Sequence, residues 1–143
     1  VSTAFAQIVT AIIGALSASP AVCATIYRAR PIDVPQQVEQ AINVQWDAAT
    51  ADDGVIAGAP IDWASRVSVE CFARSVSESG DLAVDPLLAA TFERLAQDST
   101  LSGLVGNLRV VGMEAENAAE ARKTGWVRIT YLADHRTSNA TLN

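Results

Sequence analysis

The sequence predicts an α+β fold, with an antiparallel-rich sheet of about four to five strands and two main helices packed on one face. Three observations predict it. Apolar residues recur at helical spacing in two separate stretches. Between and after those stretches, apolar and polar residues alternate strictly over several runs. The order is helix, two strands, a loop, a long strand, helix, two strands, and runs of strands separated by lone helices mark α+β rather than a βαβ array.

The first helix is predicted from Ser2 to Ala18. Phe5, Ile8, Val9, Ile12, Ile13 and Leu16 form its apolar stripe, with Ser2, Thr3, Gln7, Thr10 and Gly14 on the other faces. Ser19-Pro20 ends it. At about sixteen residues it falls short of the roughly 20 a membrane span needs. The ending Ser-Ala-Ser-Pro-Ala-Val-Cys-Ala has the look of a cleavage site, but no Lys or Arg precedes the apolar stretch. A core-facing amphipathic helix is therefore the expectation, and an exported or membrane-embedded helix, as in a secreted or pilin-like subunit, is the rival.

Ala21 to Arg30 reads as a strand, with Val22, Ala24 and Ile26 opposing Cys23, Thr25 and Tyr27. Pro31 and Pro35 bracket an extended connection, and Ala41 to Trp46 alternates as a second strand. Asp47 to Pro60 has no regular pattern and reads as a mobile loop or hairpin tip. Ile61 to Ser75 is the clearest strand: Val67, Val69, Cys71 and Ala73 point one way, and Arg66, Ser68, Glu70, Phe72 and Arg74 the other. One face packs and the other is solvated.

After a polar turn from Ser75 to Val84, Asp85-Pro86 is predicted to open the second helix, an acceptor followed by proline at the first helical position. Leu87, Leu88, Thr91, Phe92 and Leu95 form its stripe. Asn107 to Glu116 and Gly125 to Asp134 are the last strands, joined across Asn117 to Thr124, and residues 136–143 form a polar C-terminal tail, frayed or docked on a neighbour.

All of this fits a single domain spanning 1–143. Half of the 143 residues are apolar and 18% are charged, enough to build one core without metal or disulfide support. The net charge of −6 argues against a basic footprint for nucleic acid and against adsorption to an anionic membrane. Cys23 and Cys71 are too few for a disulfide framework, and reduced, buried thiols are favoured over a bridge.

No set of residues for chemistry emerges. His135, the single histidine, lies close to the chain's end and reads as a surface residue; neither cysteine sits in a motif that would activate a thiolate. Asp47, Asp52, Asp53 and Asp62 lack the ligand alternation and closing Glu of a calcium loop, so a solvated loop is the expectation. Gly103 and Gly106 form no phosphate-binding loop. No catalytic residue, cofactor or metal is expected. Trp46, Trp63 and Trp126 are aromatic anchors, for packing or for a subunit interface, and Arg28 and Arg30 are either a solvated strand end or an interface pair.

The layout resembles the tail-terminator proteins of long-tailed bacteriophages, the family that includes minor tail protein U and related tail-completion proteins. The resemblance lies in the opening helix leading to Arg28-Ala29-Arg30-Pro31, and in the strand Trp63 to Arg74 after an irregular acidic loop. It continues in the helix Asp85-Pro86-Leu87 to Gln97 with its tail Leu101 to Val105, and in the closing strand Gly125 to Tyr131. The resemblance implies a structural virion protein, not an enzyme. It would be a homo-oligomeric ring, commonly of six subunits, that ends the tail tube and meets the neck or connector protein. The implied place is the virion, at the head-proximal end of the tail, after assembly in the host cytoplasm. DNA would pass the lumen without specific binding, and no membrane would be involved. A head–tail joining (neck) protein of the same architecture is the close competitor. Candidate subunit-interface residues are Arg28, Arg30, Trp46, Asp52, Asp53, Trp63 and Trp126.

Overall fold

The structure, a computed structural model, describes residues 2–30, 34–35, 37–52, 58–119 and 123–143, and for 117–119 and 123 the backbone alone. Its elements are α1 (Ala4–Ser17), β1 (Ile26–Arg28), β2 (Gln40–Ala51), β3 (Ile61–Ser75), α2 (Gly80–Ala96), β4 (Asn107–Ala119) and β5 (Lys123–Thr137). The strands form one sheet in the order β1-β2-β3-β5-β4; β1 is parallel to β2 and every other pair is antiparallel. This is the α+β fold the alternation predicts.

Period-two alternation divides the sheet into two faces. Ile42, Cys71 and Val127 share one rung, and Val44, Val69 and Ile129 the next, all on the helix side. α1 covers β2 and α2 covers β3 and β5. From α1 come Phe5, Ile8, Val9, Ile12 and Leu16; from α2, Val84, Leu87, Thr91 and Leu95. Ile8, Ile12 and Leu16 are fully buried, each worth about 2 kcal/mol relative to exposure. The first helix is thus part of the core.

Thr3 caps α1, its hydroxyl accepting the Ala6 N–H at 3.3 Å. The other end is held from outside: the Arg94 guanidinium on α2 donates to the carbonyls of Ala15 and Ala18 at 2.9 Å and of Pro20 at 2.6 Å. It satisfies acceptors a helix end leaves open. That wrapping, with the Val22 N–H taken by the Leu16 carbonyl, explains why the strand expected from Ala21 shrinks to Ile26–Arg28.

Other boundaries move as well. β2 continues past Trp46 to Ala51, pairing Ala48 to Ala51 with Arg66 to Trp63. A bulge between Trp46 and Ala48 breaks the alternation that would have revealed it. Of the segment expected to be loop, 53–57 lies outside the described residues. The Cys23 and Cys71 thiols are both free and buried. The tail docks on its own chain: β5 runs to Thr137, and the Leu142 carbonyl accepts the Ala4 N–H at 2.6 Å.

α2 starts at Gly80 rather than at Asp85, with Ser79 as its N-cap residue and Pro86 inside the helix. Pro86 offers no N–H to the Leu82 carbonyl, a tolerable loss because Leu82 is well exposed to water. The first residue of the helix packs tightly against β5. Gly80 and Gly125 lie backbone to backbone, so that a Cβ on Gly125 would overlap the Gly80 carbonyl and one on Gly80 the Thr124 carbonyl. Replacing Gly125 by Ala should cost about 3 kcal/mol. Gly14, mid-helix with open space around it, should instead gain about 0.5–1 kcal/mol on replacement by Ala. Denaturant midpoints of the two variants check both signs.

Candidate functional site

The helix-free face of the sheet carries an organised group of polar side chains that spans four strands. Glu70 on β3 sits at its centre, between Asn43 on β2 and Arg128 on β5. The Trp126 indole N–H donates to Glu70 Oε2 at 2.8 Å, and Asn43 Nδ2 donates to Oε1 at 3.4 Å. Arg128 lies 3.7 Å from Glu70 and 3.9 Å from Glu114 on β4, with its guanidinium 5.0 Å from the centre of the Trp126 ring. Along β2, Asn43 Nδ2 donates to Gln45 and Gln45 to Asp47, whose other oxygen accepts from Ser68. The network crosses four strands and engages most of its polar groups with one another, while the buried Arg128 Nε has no partner among the described residues. The Glu114 end is well exposed and contributes little stability; the Glu70–Trp126 bond, half-shielded and charge-assisted, is the stronger part.

His135 is buried rather than on the surface. Its Nε2 is 2.6 Å from Ser65 Oγ, and Phe5 meets its ring edge-on at 5.2 Å. The reason is register: His135 pairs with Trp63 on the helix side of the sheet, where Phe5 and Trp63 cover it. A Ser–His pair invites a nucleophilic reading, but Ser65 is 0% exposed and the His135 Nδ1 has no partner among the described residues. The group that would orient a catalytic imidazole is not in place. Burial holds the His135 pKa below its usual value, against the opposing charge of Asp134. Beside it, a shallow hollow of about 600 Å³ is lined by Thr50, Asp62, Trp63, Asp134, His135 and Arg136. Its Asp62 and Arg136 already pair at 2.7 Å. Cys71, buried beside Thr91, has its thiol pushed up to about 11 by desolvation and is inert as a nucleophile. Among the described residues no three His, Cys, Asp or Glu side chains gather to hold a metal, and no helix is long and apolar enough to cross a membrane.

The residues singled out from the sequence do not form one patch. Arg28 reaches along the surface to α1, donating to Thr10 Oγ1 at 2.8 Å and to the Ala6 carbonyl at 2.9 Å. Arg30 stacks on Tyr27 at 4.4 Å, and its N–H bonds Asn43 Oδ1 at 2.9 Å. Trp46 and Trp63 meet through Phe5, with ring centres 5.0 and 5.3 Å from it; Trp63 donates to Thr137, while Trp46 stays 45% exposed. Trp126 lies on the opposite, helix-free face. The Asp52 N–H bonds the Asp62 carbonyl at 2.8 Å, and Asp53 lies outside the described residues. Glu70, Arg128 and Glu114 were missed because their alignment depends on which strands are neighbours. β5 inserts between β3 and β4, and no local pattern announces that.

No family model and no curated protein sequence matches the chain. The fold has a counterpart among solved structures: a chain in the virion of a native gene transfer agent particle superposes with a TM-score of 0.54 at 17% identity. The match covers 95% of this chain and 100% of that one. The two share a fold from end to end.

The buried groups make two predictions. The folded state resists protonating His135, whereas the unfolded chain protonates it near its ordinary value. The stability is therefore whole above about pH 6.5 and falls as the pH drops below it, by at most about 1.4 kcal/mol per pH unit. Denaturation of wild type and His135→Gln between neutral and mildly acid pH should show that slope in wild type and a flatter one in the variant. The Tyr131 hydroxyl is buried without a partner among the described residues, so Tyr131→Phe should be neutral or stabilising by about 1 kcal/mol, read as a shift in Tm.

Proposed function

We propose that this chain is a non-catalytic structural protein of a phage-like particle. More narrowly, it is a ring-forming subunit that terminates the tail tube and presents the surface joining tail to head. The observation that carries the reading is the end-to-end fold likeness to a chain of a gene transfer agent virion. The buried Ser65–His135 pair and the inert Cys71 are in keeping with it. So is the placement of polar chemistry, with Glu70, Asn43, Trp126 and Arg128 grouped on the sheet face rather than aimed into a cleft.

In this reading, six copies close by a heterologous contact, in which one surface of each subunit meets a different surface of the next. The partners are the tail tube protein on one side and the neck or connector protein on the other, and the protein resides at the head-proximal end of the tail. The net charge of −6 suits a lumen that DNA slides through without sticking. A neck protein draws the same support from the fold likeness. The rival with an exported first helix is disfavoured, because Ile8, Ile12 and Leu16 lie fully buried in the core.

Mixing the purified protein with tail tubes and imaging them tests the reading. A ring on one end of each tube, together with arrested tube growth, is the expected result. Binding to capsids but not to tubes would favour the neck role. A protein that stays monomeric and unbound in the presence of both would contradict the virion reading.

A further inference from the structure

β4 ends the sheet. β5 pairs one side of it, and among the described residues no strand pairs the other. An open edge of this length is a template for a further strand, and proteins commonly blunt such edges with Lys or Pro. Residues 107–119 contain neither. They do contain a bulge, which makes Val111 the extra residue between the Val110–Tyr131 and Gly112–Thr130 rungs.

The edge has a definite chemistry. The Leu108 N–H turns away from β5 to the Ser99 carbonyl at 2.7 Å. Val110, Met113 and Ala115 pair with Tyr131, Ile129 and Val127, and so share the helix side of β4 with Leu108. Their backbone groups therefore face outward too. Apolar side chains remain exposed nearby: Val111 and Met113 on the strand, and Phe92 on the flank of α2 turned away from Arg94 and α1. The charges lie on the other side of the strand, basic at its start (Arg109) and acidic toward its end (Glu114 and Glu116).

That order is complementary to itself when reversed. We propose that β4 of one copy pairs antiparallel with β4 of a second copy about a two-fold axis at Met113, joining two five-stranded sheets into one. With Val111 and Gly112 counted as the single rung the bulge makes, Arg109 falls opposite Glu116 of the second copy, Val110 opposite Ala115, and Met113 opposite Met113. Apolar residues meet on the helix side and opposite charges on the other, with two Arg109–Glu116 pairs per dimer. No like charges face each other: Glu114 meets the bulged rung. The pairing stops where Ser99 already occupies Leu108. The self-complementary charge order is the reason the occupant is a second copy rather than an unrelated strand. The contact is isologous and closes at two copies, so the proposal stands apart from the ring reading.

Sedimentation of the full chain over a micromolar concentration series tests it, with circular dichroism confirming that each variant is folded. Wild type should approach twice the chain mass as concentration rises. Arg109→Glu and Glu116→Arg should each weaken association about tenfold or more, because two attractive cross-strand pairs become repulsive. The double variant should recover to within about threefold of wild type. Met113→Lys, which sets two ammonium groups at the axis, should also weaken it. A monomer at every concentration would overturn the proposal, as would single reversals without effect or a folded double variant that does not recover. A larger oligomer insensitive to all of these changes would also overturn it while leaving the ring reading standing.

Discussion

β3 is the element on which the rest of the structure depends, because it is hydrogen-bonded on both sides along its length. β2 pairs it from Trp63 to Ala73, and β5 from Ile61 to Ser75. A strand held on both sides has no freedom of register, since a slip of one residue would turn Val67, Val69 and Cys71 out of the core and Arg66, Ser68 and Glu70 into it. Those three apolar side chains are wholly buried. Both helices dock on the face they define, and the polar network assembles on the other face around Glu70.

Much of this was legible in the sequence where a local period is sufficient. The Val67-Val69-Cys71-Ala73 alternation and the Phe5-Ile8-Val9-Ile12-Leu16 stripe each identify an element and its buried side, and both meet in one core. Long-range pairing was not legible in the same way. His135 lies beyond the strand expected to end at Asp134, yet β5 continues to Thr137 and pairs it with Trp63 on β3. The Asp85-Pro86 pair reads as a helix start, but the helix begins at Gly80, whose backbone lies against Gly125, 45 residues away by their numbering. Trp46, Trp63 and Trp126 look equivalent as isolated tryptophans. Strand pairing then sends two to an aromatic cluster around Phe5 and the third to the opposite face.

The sheet's two faces and its outer edge have different prospects. The helix side is packed, and on the far side Glu70, Asn43, Trp126 and Arg128 interact with one another. The outer edge of β4 retains exposed apolar side chains and unpaired backbone among the described residues. The β4 edge is the feature from which association between copies is proposed. The fold itself is shared with a chain of a gene transfer agent virion.

Hydrogen–deuterium exchange at two protein concentrations tests this account most directly. The outward amides of β4, at Val110, Met113 and Ala115, should exchange quickly in dilute solution and become protected as the concentration rises, while the β3 amides stay slow in both. Equal exchange of the β4 amides at the two concentrations would contradict an edge that works by association.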